Sequence, residues 1–289
     1  MNPCKIIAEI CCNHNGSLDL CKQMIYEAKQ NGAYAVKFQK REIELWRAAK
    51  PEIYNKPHPV SENSYGATYY DHRKALEFSF EQHAQIQQYW DEIDIKYGCS
   101  VFDITSAKQI LTLEPHFIKI PSPCNNNFEL TEFVCKNFNC PIHISFGMTL
   151  NKEFDKTIKL LKQCKALSRT VLYVCTSGYP ITCADVFLLD IVKYKKKYGK
   201  NCLAIGYSGH QNSLPVDIAS YALGAEYIEK HFTLDKKHKG TDHKLAVLPQ
   251  ELKIISDGVK DIQQAMQFRT CEILEVEKDN RSKLKWTNM

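Results

Sequence analysis

The chain has 289 residues, 44% of them apolar, and a formal net charge of +5, the profile of a globular protein with one large core or two small ones. No apolar run approaches the roughly 20 residues that span a bilayer, and the opening stretch MNPCKIIAEICCNHNG lacks a signal-peptide layout, so a soluble cytoplasmic protein is expected. The mild positive charge sits largely in KYKKKYGK and DKKHKGTDHK, which read as solvated faces; nucleic acid and membrane are excluded as expected partners, and a small anionic ligand is not.

Short β-rich runs alternate with amphipathic stretches along nearly the whole chain, the pattern of a parallel sheet wrapped by helices. Residues 5–10 form the first strand; Ser17 then caps a helix with Leu18, Cys21, Met24, Ile25 and Ala28 at helical spacing, Gly32 ends it, and 35–39 is the second strand. Residues 40–71 lose periodicity and gather Pro51, Pro57, Pro59 and Gly66, so a lid over the rim is expected there. A helix over 72–97, broken near Ser79, leads to strand 99–102, helix 106–113, strand 117–120, helix 128–137, strand 142–145 and helix 153–164. Strand 170–175, helix 184–198, strand 202–207, helix 214–223, strand 227–232 and a last helix over 249–268 complete the series. Eight such units predict an α/β fold, a single-domain (β/α)8 TIM barrel over residues 1–268, with 269–289 as a charged tail.

Thirteen cysteines, an odd number without a C-x-x-C pair, read as reduced core thiols; even the adjacent Cys11 and Cys12 are weighed as packing rather than as a redox or metal pair. In such a barrel the active site lies where the strands end. There the chain places Glu9 with Asn13 and His14, Lys37 with Gln39, Asp103, Lys119 with Ser122, Ser145, Ser177 with Tyr179, Ser208 with His210, and Glu229 with Lys230 and His231. Lys37 and Lys119 stand in apolar contexts, AVKFQ and FIKIPS, where an unpaired ammonium is costly. Either an anion compensates them, with Ser122, Ser145, Ser177 and Ser208 as hydroxyl donors, or each pairs with an internal carboxylate such as Glu9 or Glu229; the set as a whole favours the anion. His210 and His231 end consecutive strands, suit a divalent transition ion and are followed by Asp242; His14 is an alternative ligand. Glu9 is a candidate general base or the partner of Lys37.

The segments IIAEICCNHNGS, GAYAVKFQ, YGATYYDHRKALEFS, FIKIPSPCNNN, ISFGM, YVCTSGYPIT, AIGYSGH, ALGAEYIEKHFTLD and KGTDH together resemble the sialic acid synthase family, in that family's order and over nearly the full chain. The resemblance implies an N-acetylneuraminate synthase-like transferase that condenses phosphoenolpyruvate with N-acetylmannosamine or a related hexose aldehyde, giving a nine-carbon 2-keto acid and phosphate. It implies manganese, or magnesium or cobalt in its place, on His210 and His231, and Lys37, Lys119, Ser122, Ser145 and Ser208 on the phosphate and carboxylate of phosphoenolpyruvate. Glu9 would face the metal-bound water or the aldehyde, while Gln39, Tyr179 and Asp242 would contact the sugar; Arg73 lies in a matching motif without an assigned role. Better-known members carry an acidic residue where Cys124 stands, an asparagine in place of Ser177 and an aspartate in place of Gly209. They also continue into an antifreeze-protein-like domain that reaches over the partner subunit's barrel. Its expected absence here leaves the family's homodimer an expectation and hands part of sugar recognition to residues 40–71. The competing readings are a metal-dependent barrel aldolase or isomerase that does not use phosphoenolpyruvate, and a non-catalytic sugar-binding relative.

Overall fold

A computed structural model describes residues 3–286 of the chain. Eight parallel strands close into a barrel in chain order: β1 (Lys5–Cys11), β2 (Ala35–Lys40), β3 (Lys96–Val101), β4 (Phe117–Ile120), β5 (Ile142–Ser145), β6 (Thr170–Cys175), β7 (Ala204–Gly209) and β8 (Tyr227–His231). β1 meets β8 through pairs running from Lys5↔Tyr227 to Glu9↔His231, which completes the ring. Helices alternate with the strands and jacket them, so the TIM barrel expected from the alternation is the fold found.

Successive side chains of a strand point alternately to the barrel axis and to the helices. Toward the N-terminal end the inward set is apolar: Ile7, Ala35, Phe117, Val171, Tyr173, Ala204 and Tyr227 form one buried cluster. Two residues further along their strands, Glu9, Lys37, Lys119 and Glu229 replace the apolar side chains and are themselves buried. Outward residues such as Ile6, Val36, Ile118, Leu172, Ile205 and Ile228 belong to the larger core shared with the helices. Both faces of these strands are covered, so they read as apolar runs with one charged residue at a common height.

Some boundaries differ from expectation. The helix expected over 72–97 is two helices, Tyr69–Leu76 and Phe80–Glu92, parted at Ser79, whose hydroxyl and the Gln82 side chain form a reciprocal capping box. The second helix stops early because Asp94 takes φ +50° and β3 begins at Lys96; Ile95 and Tyr97 are buried as strand residues, and so few apolar positions cannot separate a period of 3.6 from one of 2. β7 begins and ends later than expected, and the helix expected from residue 184 starts at Leu189, after a 3-10 turn at Cys183–Asp185.

Residues 40–71 are not a structureless lid. Helices Ile43–Ala49 and Pro51–Tyr54 and a turn at Ser61–Asn63 fold against the Tyr69–Leu76 helix, which a Thr68–Asp71 capping box opens. Tyr54 packs edge-on to Tyr69 at 5.2 Å, and the His58 and His72 rings lie 4.4 Å apart. The charged tail carries a helix, Glu275–Leu284, with no buried residue; positions 287–289 of that tail lie outside the described residues. No helix among the described residues is long and apolar enough to cross a membrane.

Candidate active site

At the C-terminal mouth of the barrel lies a cavity of about 250 Å³. Of the residues expected to act on substrate or metal, Glu9, Lys37, Gln39, Lys119, Ser122, Ser145, Tyr179, Ser208, His210, His231 and Asp242 line it, and Ser177 does not. Strand register explains the gathering. Glu9 lies beside Lys37 on one side and His231 on the other, Ser100 beside Lys119, and Ser208 beside Glu229.

On the cavity floor two ammonium groups face two carboxyls. Lys37 pairs with Glu9 and donates to Ser100 Oγ at 2.7 Å, with Glu229 Oε1 at 3.8 Å. Lys119 Nζ lies 2.5 Å from the same Glu229 oxygen and 4.5 Å from the centre of the Tyr173 ring. The lysines therefore do pair with internal carboxylates, while hydroxyls suited to an anion stand around them. Ser208 Oγ donates to Glu229 at 3.3 Å, Ser122 Oγ accepts from the Gly147 amide at 3.1 Å, and the buried Ser145 Oγ has no hydrogen-bond partner.

The two carboxyls are pushed in opposite directions. Burial raises the pKa of Glu9 from its ordinary value in spite of Lys37. Burial alone would also raise Glu229, but Lys119 and Lys37 outweigh it and hold that group at about 2. Glu9 is thus the carboxyl poised to exchange a proton, and Glu229 the fixed counter-ion. The Gln39 amide steadies Glu9 by donating to Oε1 at 3.0 Å.

A pH dependence follows. Glu229, with its lowered pKa, contributes stability that is present above its ordinary 4.5 and lost as pH falls toward about 2. Glu9, with its raised pKa, contributes stability that is present below its ordinary value and lost as pH rises through the folded one. Acid unfolding followed by circular dichroism should show the first loss in the wild type and an attenuated one in Glu229→Gln.

Above the floor, the rings of His210 and His231 lie 5.5 Å apart. His210 Nδ1 donates to the Thr176 carbonyl at 2.8 Å, which leaves Nε2 as the nitrogen open to a ligand; burial alone would lower the pKa of this ring, but Cys175 and that carbonyl raise it. His231 Nδ1 is buried without a partner, and burial pulls the pKa of the ring down to about 3, so it is neutral. Two imidazoles at a polar cavity, one neutral with an orphaned ring nitrogen, fit a divalent transition ion whose other positions are filled by oxygen. The Tyr179 ring covers His210 at 4.5 Å.

Several expected candidates serve the scaffold. Ser177 stays outside the lining, packed against Gly147 and 3.9 Å from Cys175 Sγ. His14 stacks on Phe78 at 3.6 Å and accepts from the Gly16 amide at 3.1 Å, Asp103 accepts from the Ser106 and Glu42 amides, and Lys230 points out of the barrel to Asp217 at 3.2 Å. Burial pushes the Cys124 thiol up to about 12 and it faces the Phe102 carbonyl at 3.4 Å, so it replaces no acid or base at neutral pH. The sequence reading missed Arg41, Ser100 and Cys175 and gave Arg73 no place, although all four line the cavity. Inward parity along β3 identifies Ser100 once that strand is started at Lys96; Arg73 reaches the rim on a helix whose placement no periodicity reveals.

Gly209 has a packing reason. A Cβ there would lie 2.8 Å from Asp217 Oδ1 and 2.7 Å from Gln211 Oε1. Those atoms belong to a buried network in which Gln211 Nε2 donates to Asp217 at 2.8 Å and Lys230 neutralises it. Gly209→Asp would crowd that network and add a second carboxylate, so it should cost about 2–4 kcal/mol, read as a lower urea midpoint.

A closed parallel barrel whose mouth joins paired lysines, serine hydroxyls and two imidazoles is an enzyme scaffold. The profile of the NeuB family matches residues 24–270, and the chain belongs to that family. It is 36% identical over 284 residues to N-acetylneuraminate-9-phosphate synthase of Homo sapiens, covering 98% of this chain and 77% of that one. To N,N'-diacetyllegionaminic acid synthase of Legionella pneumophila it is 33% identical over 268 residues, covering 91% and 73%. The crystal structure of N-acetylneuraminic acid synthetase from Leptospira borgpetersenii serovar Hardjo-bovis in complex with citrate matches with a TM-score of 0.83 at 26% identity, over 99% of this chain and 94% of that one.

Proposed function

We propose that the protein is a phosphoenolpyruvate-dependent nonulosonic acid synthase, joining C3 of phosphoenolpyruvate to the aldehyde carbon of an N-acetylmannosamine-type hexose. The observation that carries this reading is the cavity itself, in which Lys37, Lys119 and the unpartnered Ser145 hydroxyl share one space with the His210 and His231 imidazoles. The family and its synthase relatives support it.

The chain's own groups divide the work. Lys37 and Lys119, with the hydroxyls of Ser122, Ser145 and Ser208, hold the phosphate and carboxylate of the donor and offset their charge. Gln39, Tyr179 and Asp242 line the same cavity and orient the acceptor sugar. A carbon–carbon bond forms at the aldehyde, water adds at C2 of the donor, and the carbon–oxygen bond to phosphate breaks. Glu9 takes the proton released by that water, or returns one to the new alkoxide. His210 and His231 would hold a divalent ion, manganese in this reading with magnesium or cobalt as substitutes, which when bound supplies a Lewis acid for the aldehyde oxygen. The free thiols, all thirteen of them, suit a reducing cytoplasm, and a homodimer completes the proposal.

The test is phosphate release and 2-keto acid formation with phosphoenolpyruvate, manganese and a panel of N-acetylmannosamine, its 6-phosphate, mannose and diacetamido hexoses. At least one acceptor should turn over, and chelation should abolish turnover. Inactivity across the panel, or activity indifferent to chelation, contradicts the proposal.

A further inference from the structure

β1 ends in two adjacent thiols that the reaction above does not use. The sulfurs of Cys11 and Cys12 and a carboxylate oxygen of Asp242 all lie within 4.8 Å of one another. The sulfurs are 3.7 Å apart, and Asp242 Oδ2 is 3.1 Å from Cys11 Sγ and 3.8 Å from Cys12 Sγ. We propose that these three groups form a binding site for a thiophilic divalent cation of the zinc class, distinct from the imidazole pair.

Geometry is the first argument. Tetrahedral zinc with bonds of ~2.3 Å to sulfur and ~2.1 Å to oxygen sets two sulfurs ~3.8 Å apart and each sulfur ~3.6 Å from the oxygen. The three atoms reach that triangle by shifts on the order of 0.5 Å or less. The sulfur separation is far from the ~2.05 Å of a disulfide.

The backbone is the second. Cys11 adopts φ +54°, a region that glycine enters freely and L side chains rarely occupy. The register slip between Glu9 and Cys11 falls at the same point. A buried thiol is thus held in an unfavourable backbone state and aimed at a carboxylate, the kind of outlier that points to function.

Charge is the third. Two thiolates and a carboxylate around a divalent ion leave one negative charge. The Arg73 guanidinium lies 3.9 Å from Cys12 Sγ, and Arg73 and Arg41 share the single carboxylate of Glu77, at 3.5 and 3.4 Å. That trio has one positive charge over, which balances the loaded site. Binding releases the two thiol protons to solvent, and Asp242, half-buried and part of the cavity wall, gives the ion its way in.

Cobalt(II) titrated into the reduced full chain is the direct probe, because thiolate-to-cobalt charge transfer gives a near-ultraviolet band that imidazole ligands do not. The expected result is one thiolate-bound cobalt per chain, displaced by zinc, with the band lost in Cys12→Ser and in Cys11→Gly and kept in the His210→Ala/His231→Ala double variant. Cys11→Gly relieves the left-handed backbone and is expected to fold, so loss of the band there reports ligation and not collapse; an unchanged circular dichroism melt confirms it. Absence of the band in the wild type, its persistence in either cysteine variant, or its loss in the histidine variant overturns the proposal. None of these readouts depends on turnover, so failure of the synthase assay leaves them standing, and the reverse holds too.

Discussion

Phosphate release by the His210→Ala/His231→Ala double variant is expected to fall at least about 1,000-fold, with little loss of stability. The two halves of that expectation have separate grounds. His231 Nδ1 has no hydrogen-bond partner, and the oxygen partner of the His210 ring is the Thr176 carbonyl, so the fold loses little polar bonding with them. Activity depends on them entirely if the aldehyde is polarised there. The variant should still gain thermal stability from phosphoenolpyruvate, because Lys37, Lys119 and the serines lie on the floor beneath the imidazoles. A variant with wild-type turnover would remove the imidazoles from the reaction; one that loses activity and donor binding together would show that the two halves of the cavity are not separable.

Glu229→Ala is expected to destabilise the protein by about 3–5 kcal/mol, because it strips Lys119 of its carboxylate partner in a buried setting. In a barrel of this size that corresponds to a drop in Tm on the order of 10 °C. Phosphoenolpyruvate should restore more stability to this variant than it adds to the wild type, since its own charge takes the vacated place. Glu9→Ala is expected to be milder, because Lys37 keeps Ser100 at 2.7 Å and Glu229 at 3.8 Å. Equal melting of Glu229→Ala and the wild type would mean that the pairing of Lys119 carries no weight.

The barrel was legible because each strand is covered on both faces, so that apolar runs alternate cleanly with helical stretches. Strands β4, β5 and β6 begin and end where the sequence placed them. Most of the cavity was legible for a related reason. Glu9, Lys37, Lys119 and Glu229 are charged residues at inward positions, and strand parity carries them to one height. What the sequence did not disclose is which charge meets which. Lys119 and Glu229 are paired across the barrel rather than along neighbouring strands, a contact made by closure of the ring. Arg41 and Arg73 depend likewise on how residues 40–71 fold back, and the approach of Asp242 to Cys11 and Cys12 depends on the loop after β8.

The four-membered floor also sets the terms on which ligands enter. Two ammoniums already matched by two carboxyls make the floor close to neutral, so a donor bearing both phosphate and carboxylate arrives there with excess negative charge. A monovalent anion such as chloride is expected to compete weakly for lysines already paired with carboxylates, so phosphoenolpyruvate binding should change little when chloride replaces acetate at constant ionic strength. A multiply charged donor is accommodated best when a cation enters with it, which couples the two ligands. By reciprocity the factor by which the ion tightens donor binding equals the factor by which the donor tightens the ion, and titrations of each at fixed levels of the other should return the same number.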